Sequence, residues 1–197
     1  SGETEIPEGA RVTCDPNTWC GACSQCQRGR VNLCINNLAT GIHRDGGFAE
    51  FCVFPASKAV VLPDKINPLY GAFCEPLACT LHGMDMGAAQ EGETVLVIGG
   101  GVIGLMAVQL AKLAGAKVLL MTRSPEKQTL GLTIGADYAV GTESEVRDIW
   151  PEGADMVVEC AGVSATVTLS HKLARSGGRV VILGVISQGE QVPIEPF

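Results

Sequence analysis

The stretch Thr94-Val-Leu-Val-Ile-Gly-Gly-Gly-Val-Ile-Gly104 constrains this chain more than any other. An apolar run ends abruptly in glycines, and uncharged residues then continue as far as Ala111. By hydropathy alone such a segment passes for a membrane span. Gly99, Gly100, Gly101 and Gly104 would weaken a continuous helix, whereas they suit a buried strand that turns sharply into one. Read as Gly99, Gly101 and Gly104, the run is a GxGxxG loop between strand and helix. The first glycine permits the turn, the second admits a pyrophosphate to the backbone, and the third lets helix and strand pack closely. The diphosphate then rests on free N–H groups at the positive end of the helix, with Val102 and Ile103 in its first turn. A packing turn without a ligand is the plainer alternative.

The rest of the second half supports the ligand. Short Val/Ile/Leu runs predict strands over Thr94 to Ile98, Lys117 to Met121, Tyr138 to Val140, Asp155 to Glu159 and Arg179 to Leu183. Helices are expected between them, over Val102 to Ala114, from Ser124 to Gly135, over about Glu143 to Trp150, and over Ser164 to Arg175. Ser124 suits an N-cap, Pro125 the first helical position, and Gly115 a C-terminal cap. Near-continuous apolar strands separated by crossover helices imply an α/β fold, a doubly wound parallel sheet covered on both faces. Residues 1 to about 62 are rich in Gly, Cys, Asn and Pro, with extended runs over Arg11 to Cys14 and Phe48 to Phe54. A helical stretch through Tyr70 to Met86 connects the two halves.

In such sheets ligands bind outside the carboxyl ends of the strands. Cys160, Ala161 and Gly162 occupy that place after one strand, and Leu183, Gly184 and Val185 after the last; ordinary strand-to-loop packing competes for Leu183 and Val185. The strand after the glycine loop ends in Met121-Thr122-Arg123 where an acid would hold a ribose 2′-hydroxyl. A neutral Thr122, with Arg123 and Lys127 to meet a 2′-phosphate, favours NADP(H) over NAD(H). Arg123 stacked on adenine would serve either cofactor.

Nine cysteines with no secretory signal point to metal binding in a reducing, cytoplasmic compartment. Cys20, Cys23, Cys26 and Cys34 form CxxCxxCx7C, suited to one tetrahedral zinc. An iron–sulfur run would place its fourth cysteine nearer and follow it with proline, whereas Ile35 follows Cys34. Four thiolates close the site to substrate, so this zinc is structural. The scattered Cys14, Cys52, Cys74, Cys79 and Cys160 read as buried apolar thiols. With 21 acidic against 14 basic residues the net charge is −7, which disfavours a nucleic-acid partner.

With Asp15-Pro-Asn-Thr-Trp-Cys20, Asp45-Gly-Gly-Phe-Ala-Glu50, Glu75-Pro-Leu77 and Glu159-Cys-Ala-Gly162, these motifs make the chain resemble the zinc-dependent medium-chain alcohol and polyol dehydrogenases, sorbitol dehydrogenase-like in style. The resemblance implies a GroES-like catalytic domain, here in part over 1–62, and a Rossmann domain over 63–197 with five of its six strands. It implies hydride transfer between an alcohol or polyol, or its ketone, and a nicotinamide cofactor, with a catalytic zinc that lowers the alcohol's pKa. Glu75 matches the family's zinc-site glutamate. The family's cysteine and His-Glu pair have no counterpart here, so a catalytic zinc is expected only in a complete chain. Ser1 at the start, the missing last strand and the missing ligands predict a fragment with little activity alone. No membrane partner is expected, and a homo-oligomer is expected of the full-length relative. A non-catalytic, zinc-stabilised nucleotide-binding module is the principal rival; a zinc-free quinone-reductase-like member and a coloured iron–sulfur carrier are others.

Among single residues, Glu75, Cys79 and His82 share a helical spacing, but an autonomous second metal site is not favoured. Cys79 is expected in the core and His82 at the domain junction. His43 and His171 read as loop and surface residues.

Overall fold

The computed structural model describes residues 6–194. The chain divides into two compact units, 1–75 and 76–197.

The first unit is built from short pieces. Strand β1 (Val12–Cys14) pairs antiparallel with β4 (Ala59–Val61), and β2 (Asn17–Thr18) with β3 (Leu38–Ala39). Helix α1 (Ser24–Gln27) and a 3₁₀ turn at Val31–Leu33 carry the cysteine lobe between β2 and β3. The expected extended run at Phe48 to Phe54 forms no ladder among the described residues: it bends through 47–50, and Phe48, Phe51 and Val53 stay exposed. Its alternation lacks a partner strand, and a strand alone satisfies none of its own backbone groups.

Helix α2 (Pro68–Gly71) starts where Asn67 accepts a hydrogen bond from the Leu69 N–H and Pro68 takes the first turn. The single helix expected through Tyr70 to Met86 is interrupted by a turn at Ala72 and Phe73, after which α3 (Cys74–Gly87) begins. Residues 63–75 pack with the first unit, although composition changes at 62/63. The cause is local: Leu62 is buried, and a Cβ at Gly71 would lie 2.5 Å from its Cδ1.

The second unit is a five-stranded parallel sheet of order β7-β6-β5-β8-β9, comprising β5 (Thr94–Ile98), β6 (Lys117–Met121), β7 (Tyr138–Val140), β8 (Ala154–Glu159) and β9 (Ala174–Ile182). Order reverses at β5, which pairs with β6 on one side and β8 on the other. That is a doubly wound, Rossmann-type sheet. Crossovers are α4 (Val102–Leu113), α5 (Pro125–Thr133), α6 (Glu143–Ile149) and α7 (Ser164–Leu173).

Alternation along β5 explains the two cores. Val95 and Val97 pack with Val108, Val118 and Leu120 on one face, while Leu96 and Ile98 pack with Leu119, Val146 and Leu173 on the other. Strand β9 starts earlier than expected because the pairing with β8 slips between Ala154 and Met156, so that Arg175 to Gly178 bulge out before Arg179 regains register. No helix among the described residues is long and apolar enough to cross a membrane.

Candidate functional site

The four cysteines of the lobe converge. Their Sγ atoms all lie within 4.8 Å of one another, with Cys23 to Cys26 at 3.5 Å and Cys34 to Cys20 at 3.6 Å. Tetrahedral zinc at about 2.3 Å from each sulfur separates sulfurs by roughly 3.8 Å, so the cage fits that ion. Backbone donors already favour thiolate: the Cys20 N–H points at the Cys34 sulfur and the Cys23 N–H at the Cys20 sulfur. N–H groups of Ala22 and Cys23 bring the Cys20 thiol down to about 6, whereas desolvation and the Cys23 thiol push Cys26 up to about 12. Crowded thiols cannot all ionise without a cation, and a bound zinc supplies that charge.

A latch beneath the lobe had no sequence signal. Lys58 places Nζ 2.9 Å from Asp15 Oδ2 and 3.0 Å from the centre of the Trp19 ring, joining the start of the lobe to a residue 43 positions away. Asp15 and Trp19 belong to a recognisable motif; Lys58 does not.

Within the same unit, Glu75 lines an open depression with Arg44, Asp45, Phe48, Phe51 and Cys52. Cys79 and His82 are exposed on α3, and among the described residues no second group of metal-ligating atoms converges. Cys79 is therefore not the core residue expected. The buried side of α3 is Thr80, Gly83, Met84 and Gly87, and Cys79 falls one step off it. Cys74 is also exposed, and Cys14, Cys52 and Cys160 are half-buried, so of the scattered thiols none is fully buried.

In the second unit the glycine loop crosses from β5 to α4 at the point where strand order reverses. Gly99 has φ +108°, and a Cβ at Gly104 would lie 1.8 Å from the Gly99 carbonyl oxygen. A Cβ at Gly101 would meet nothing, so the space in front of it is open for a ligand. Gly101 is the N-cap of α4 and offers no side chain to the N–H groups of the first turn, where Val102 is exposed and Ile103 half-buried. These features fit a diphosphate.

Several residues singled out from the sequence flank the loop. Positions within 3.0 Å of a Cβ at Gly100 include Thr122 Oγ1 and Lys127 Cβ, and within 3.0 Å of one at Gly99 lie Cys160 C and Ala161 N. Thr122 is held by its own N–H to Val140 and by Gln128, which donates to its carbonyl at 2.7 Å. Arg123 is exposed beside it. Gly162, Gly184 and Val185 meet behind Ala161, a Cβ at Gly162 lying 2.7 Å from the Val185 oxygen. Leu183 differs: its side chain packs against the core and against Gly83 of α3. Burial, then the Glu159 charge, raise the Cys160 thiol to about 12, which keeps it a neutral wall residue.

The second unit is a parallel sheet with this loop at its switch point, and the first holds a four-thiol cage that suits zinc: together, the parts of a zinc-binding, nucleotide-binding protein. Two family models match in turn, the alcohol dehydrogenase GroES-like domain over residues 1–64 and the zinc-binding dehydrogenase over residues 102–197. The chain belongs to the zinc-dependent medium-chain alcohol and polyol dehydrogenases. It is 53% identical, with a TM-score of 0.92, to a structure described as a zinc-binding dehydrogenase from Sinorhizobium meliloti 1021 bound to NADP, covering 98% of this chain and 59% of that one. Galactitol-1-phosphate dehydrogenase from Escherichia coli is 30% identical at TM-score 0.86, covering 96% and 57%. Sorbitol dehydrogenase of Halalkalibacterium halodurans is 33% identical over 198 residues, 96% of this chain and 58% of that protein. The chain thus spans rather more than half the length of the relatives it matches.

Proposed function

We propose that this chain carries the structural zinc lobe and the dinucleotide site of an oxidoreductase that moves hydride between an alcohol or polyol, or its ketone, and NADP(H) in preference to NAD(H). The observation that carries the reading is the glycine loop at the sheet's switch point, open in front of Gly101 and flanked by Thr122 and Lys127. NADP is favoured because no carboxylate ends β6, and Arg123 and Lys127 stand exposed where a 2′-phosphate would lie. The NADP bound to the Sinorhizobium relative supports the same choice.

The residues divide the work. Gly99, Gly101 and Gly104 with the first turn of α4 hold the diphosphate; Thr122, Arg123 and Lys127 read the ribose; Cys160 to Gly162, Gly184 and Val185 form the wall towards the nicotinamide, and Leu183 supports that wall from the core. When bound, the nicotinamide accepts or donates the hydride. Zinc on Cys20, Cys23, Cys26 and Cys34 stabilises the lobe and takes no part in the transfer. By resemblance Glu75 would be the family's zinc-site glutamate, and among the described residues it belongs to no convergent group of three or more metal-ligating atoms. The same proposal places the protein in the cytoplasm, where four thiols stay reduced, and assigns a small alcohol or polyol, with neither nucleic acid nor membrane, as its partner.

Binding of NADP⁺ and NAD⁺ to the purified chain, measured calorimetrically, tests the reading. NADP⁺ is expected to bind more tightly, and Arg123→Ala to weaken it about tenfold while leaving NAD⁺ nearly unchanged. Equal affinities in both proteins would remove the NADP preference; binding of neither would remove the dinucleotide site.

A further inference from the structure

Glu159, the last residue of β8, is wholly buried. Its Oε1 accepts hydrogen bonds from the Ala161 N–H at 2.8 Å, the Gly162 N–H at 3.1 Å and the Thr166 hydroxyl at 2.7 Å, and Oε2 accepts a longer one from Gly162 at 3.3 Å. Every donor is neutral, and among the described residues no Lys, Arg or His is paired with it. A buried carboxylate without a cation is costly, and neutral donors offset only part of that cost.

Its place is informative. The Glu159 carbonyl accepts from the Leu183 and Gly184 N–H groups at 2.8 and 3.0 Å, and a Cβ at Gly184 would lie 2.4 Å from Oε2. The loop it anchors, Cys160 to Gly162, abuts Gly99. Glu159 therefore ties together the backbone that follows β8, through its carboxylate, and the backbone that follows β9, through its carbonyl, directly behind the loop that follows β5.

We propose that Glu159 is a positioning residue of the dinucleotide site, and that its uncompensated buried charge favours the oxidised, positively charged nicotinamide over the reduced, neutral ring. The inference rests on the reading that a nicotinamide dinucleotide binds at this sheet edge. NADP⁺ and NADPH carry the same phosphates, so phosphate interactions cancel between them. What remains is one unit of ring charge, felt through a water-poor wall rather than through bulk solvent.

Calorimetric Kd values for NADP⁺ and NADPH with the purified chain and with Glu159→Gln, Glu159→Asp and Thr166→Val test this. Glutamine keeps an oxygen for the three donors and removes the charge, so the ratio of oxidised to reduced Kd should rise about fivefold. Aspartate keeps the charge, so the ratio stays near that of the parent while both affinities fall. Valine removes one anchor, and both forms should weaken alike. An unchanged ratio in Glu159→Gln, with both forms weakened equally, would reduce Glu159 to a structural tie and overturn the proposal. So would a shifted ratio in Glu159→Asp, which also decides the matter should circular dichroism show Glu159→Gln unfolded. A parent chain that binds neither form would defeat the dinucleotide reading and this inference with it; one that binds both with an unmoved ratio defeats this inference alone.

Discussion

Four sulfurs within 4.8 Å of one another stabilise the fold only if something neutralises their charge. Cys26→Ser should therefore lower the zinc content of the purified chain from one per chain to none, as elemental analysis with native mass spectrometry would show; retention of zinc would place the metal elsewhere. Gly104 is constrained as tightly. An alanine Cβ would stand 1.8 Å from the Gly99 oxygen, so Gly104→Ala should destabilise the second unit by about 3 kcal/mol in urea unfolding. Asp155 contributes to acid sensitivity. Burial tends to raise its pKa, but the Thr94 N–H and hydroxyl and the Arg175 guanidinium outweigh it and hold the carboxyl at about 2 against an ordinary 3.8. Its contribution is complete above the ordinary value and disappears as pH falls through about 2. Asp155→Asn should flatten the acid limb of the stability profile. Cys26, Gly104 and Glu159 stand in recognisable motifs, whereas Asp155 and Lys58 do not, and the partners of Glu159, Asp155 and Lys58 are known only after folding.

At the scale of elements, local chemistry and packing agree across most of the second unit. Thr142 caps α6 in a reciprocal box with Glu145, and Thr142→Ala should cost about 1 kcal/mol in thermal or urea unfolding. Strands β5, β6 and β7 lie where their apolar runs predict, because burial on both faces leaves little choice of register. Elements failed to follow the sequence where pairing decides. The run from Phe48 to Phe54 alternates like a strand but finds no ladder among the described residues, and β9 accommodates a bulge that no local signal announces. β9 is also an edge of the sheet, paired with β8 on one side. Unpaired strand edges recruit further strands, so the purified chain should associate as concentration rises, measurable by light scattering. A monomer throughout would contradict that.

The two compact units make different demands on the surroundings. The first has short strands, a small buried core and a four-thiol cage that a metal would brace; the second carries two apolar clusters on a parallel sheet. Trp19 lies in the first and Trp150 in the second, and these are the chain's two tryptophans. A strong zinc chelator should shift the fluorescence of the Trp150→Phe protein, which reports Trp19, and leave that of Trp19→Phe unchanged. Equal shifts would mean that the metal supports both units.

Sequence by itself determined the parallel sheet, the glycine crossing and the cysteine cage, because each depends on contacts between residues close in the chain or on a burial pattern with one solution. Tertiary structure alone decided which apolar runs find partners, that Cys79 faces outwards, that Lys58 bears on Trp19, and that the Glu159 carboxyl is buried in the wall behind the glycine loop. Those outcomes depend on atoms contributed from distant parts of the chain, or on which side of an element meets a neighbour, and neither is encoded by residue type or spacing.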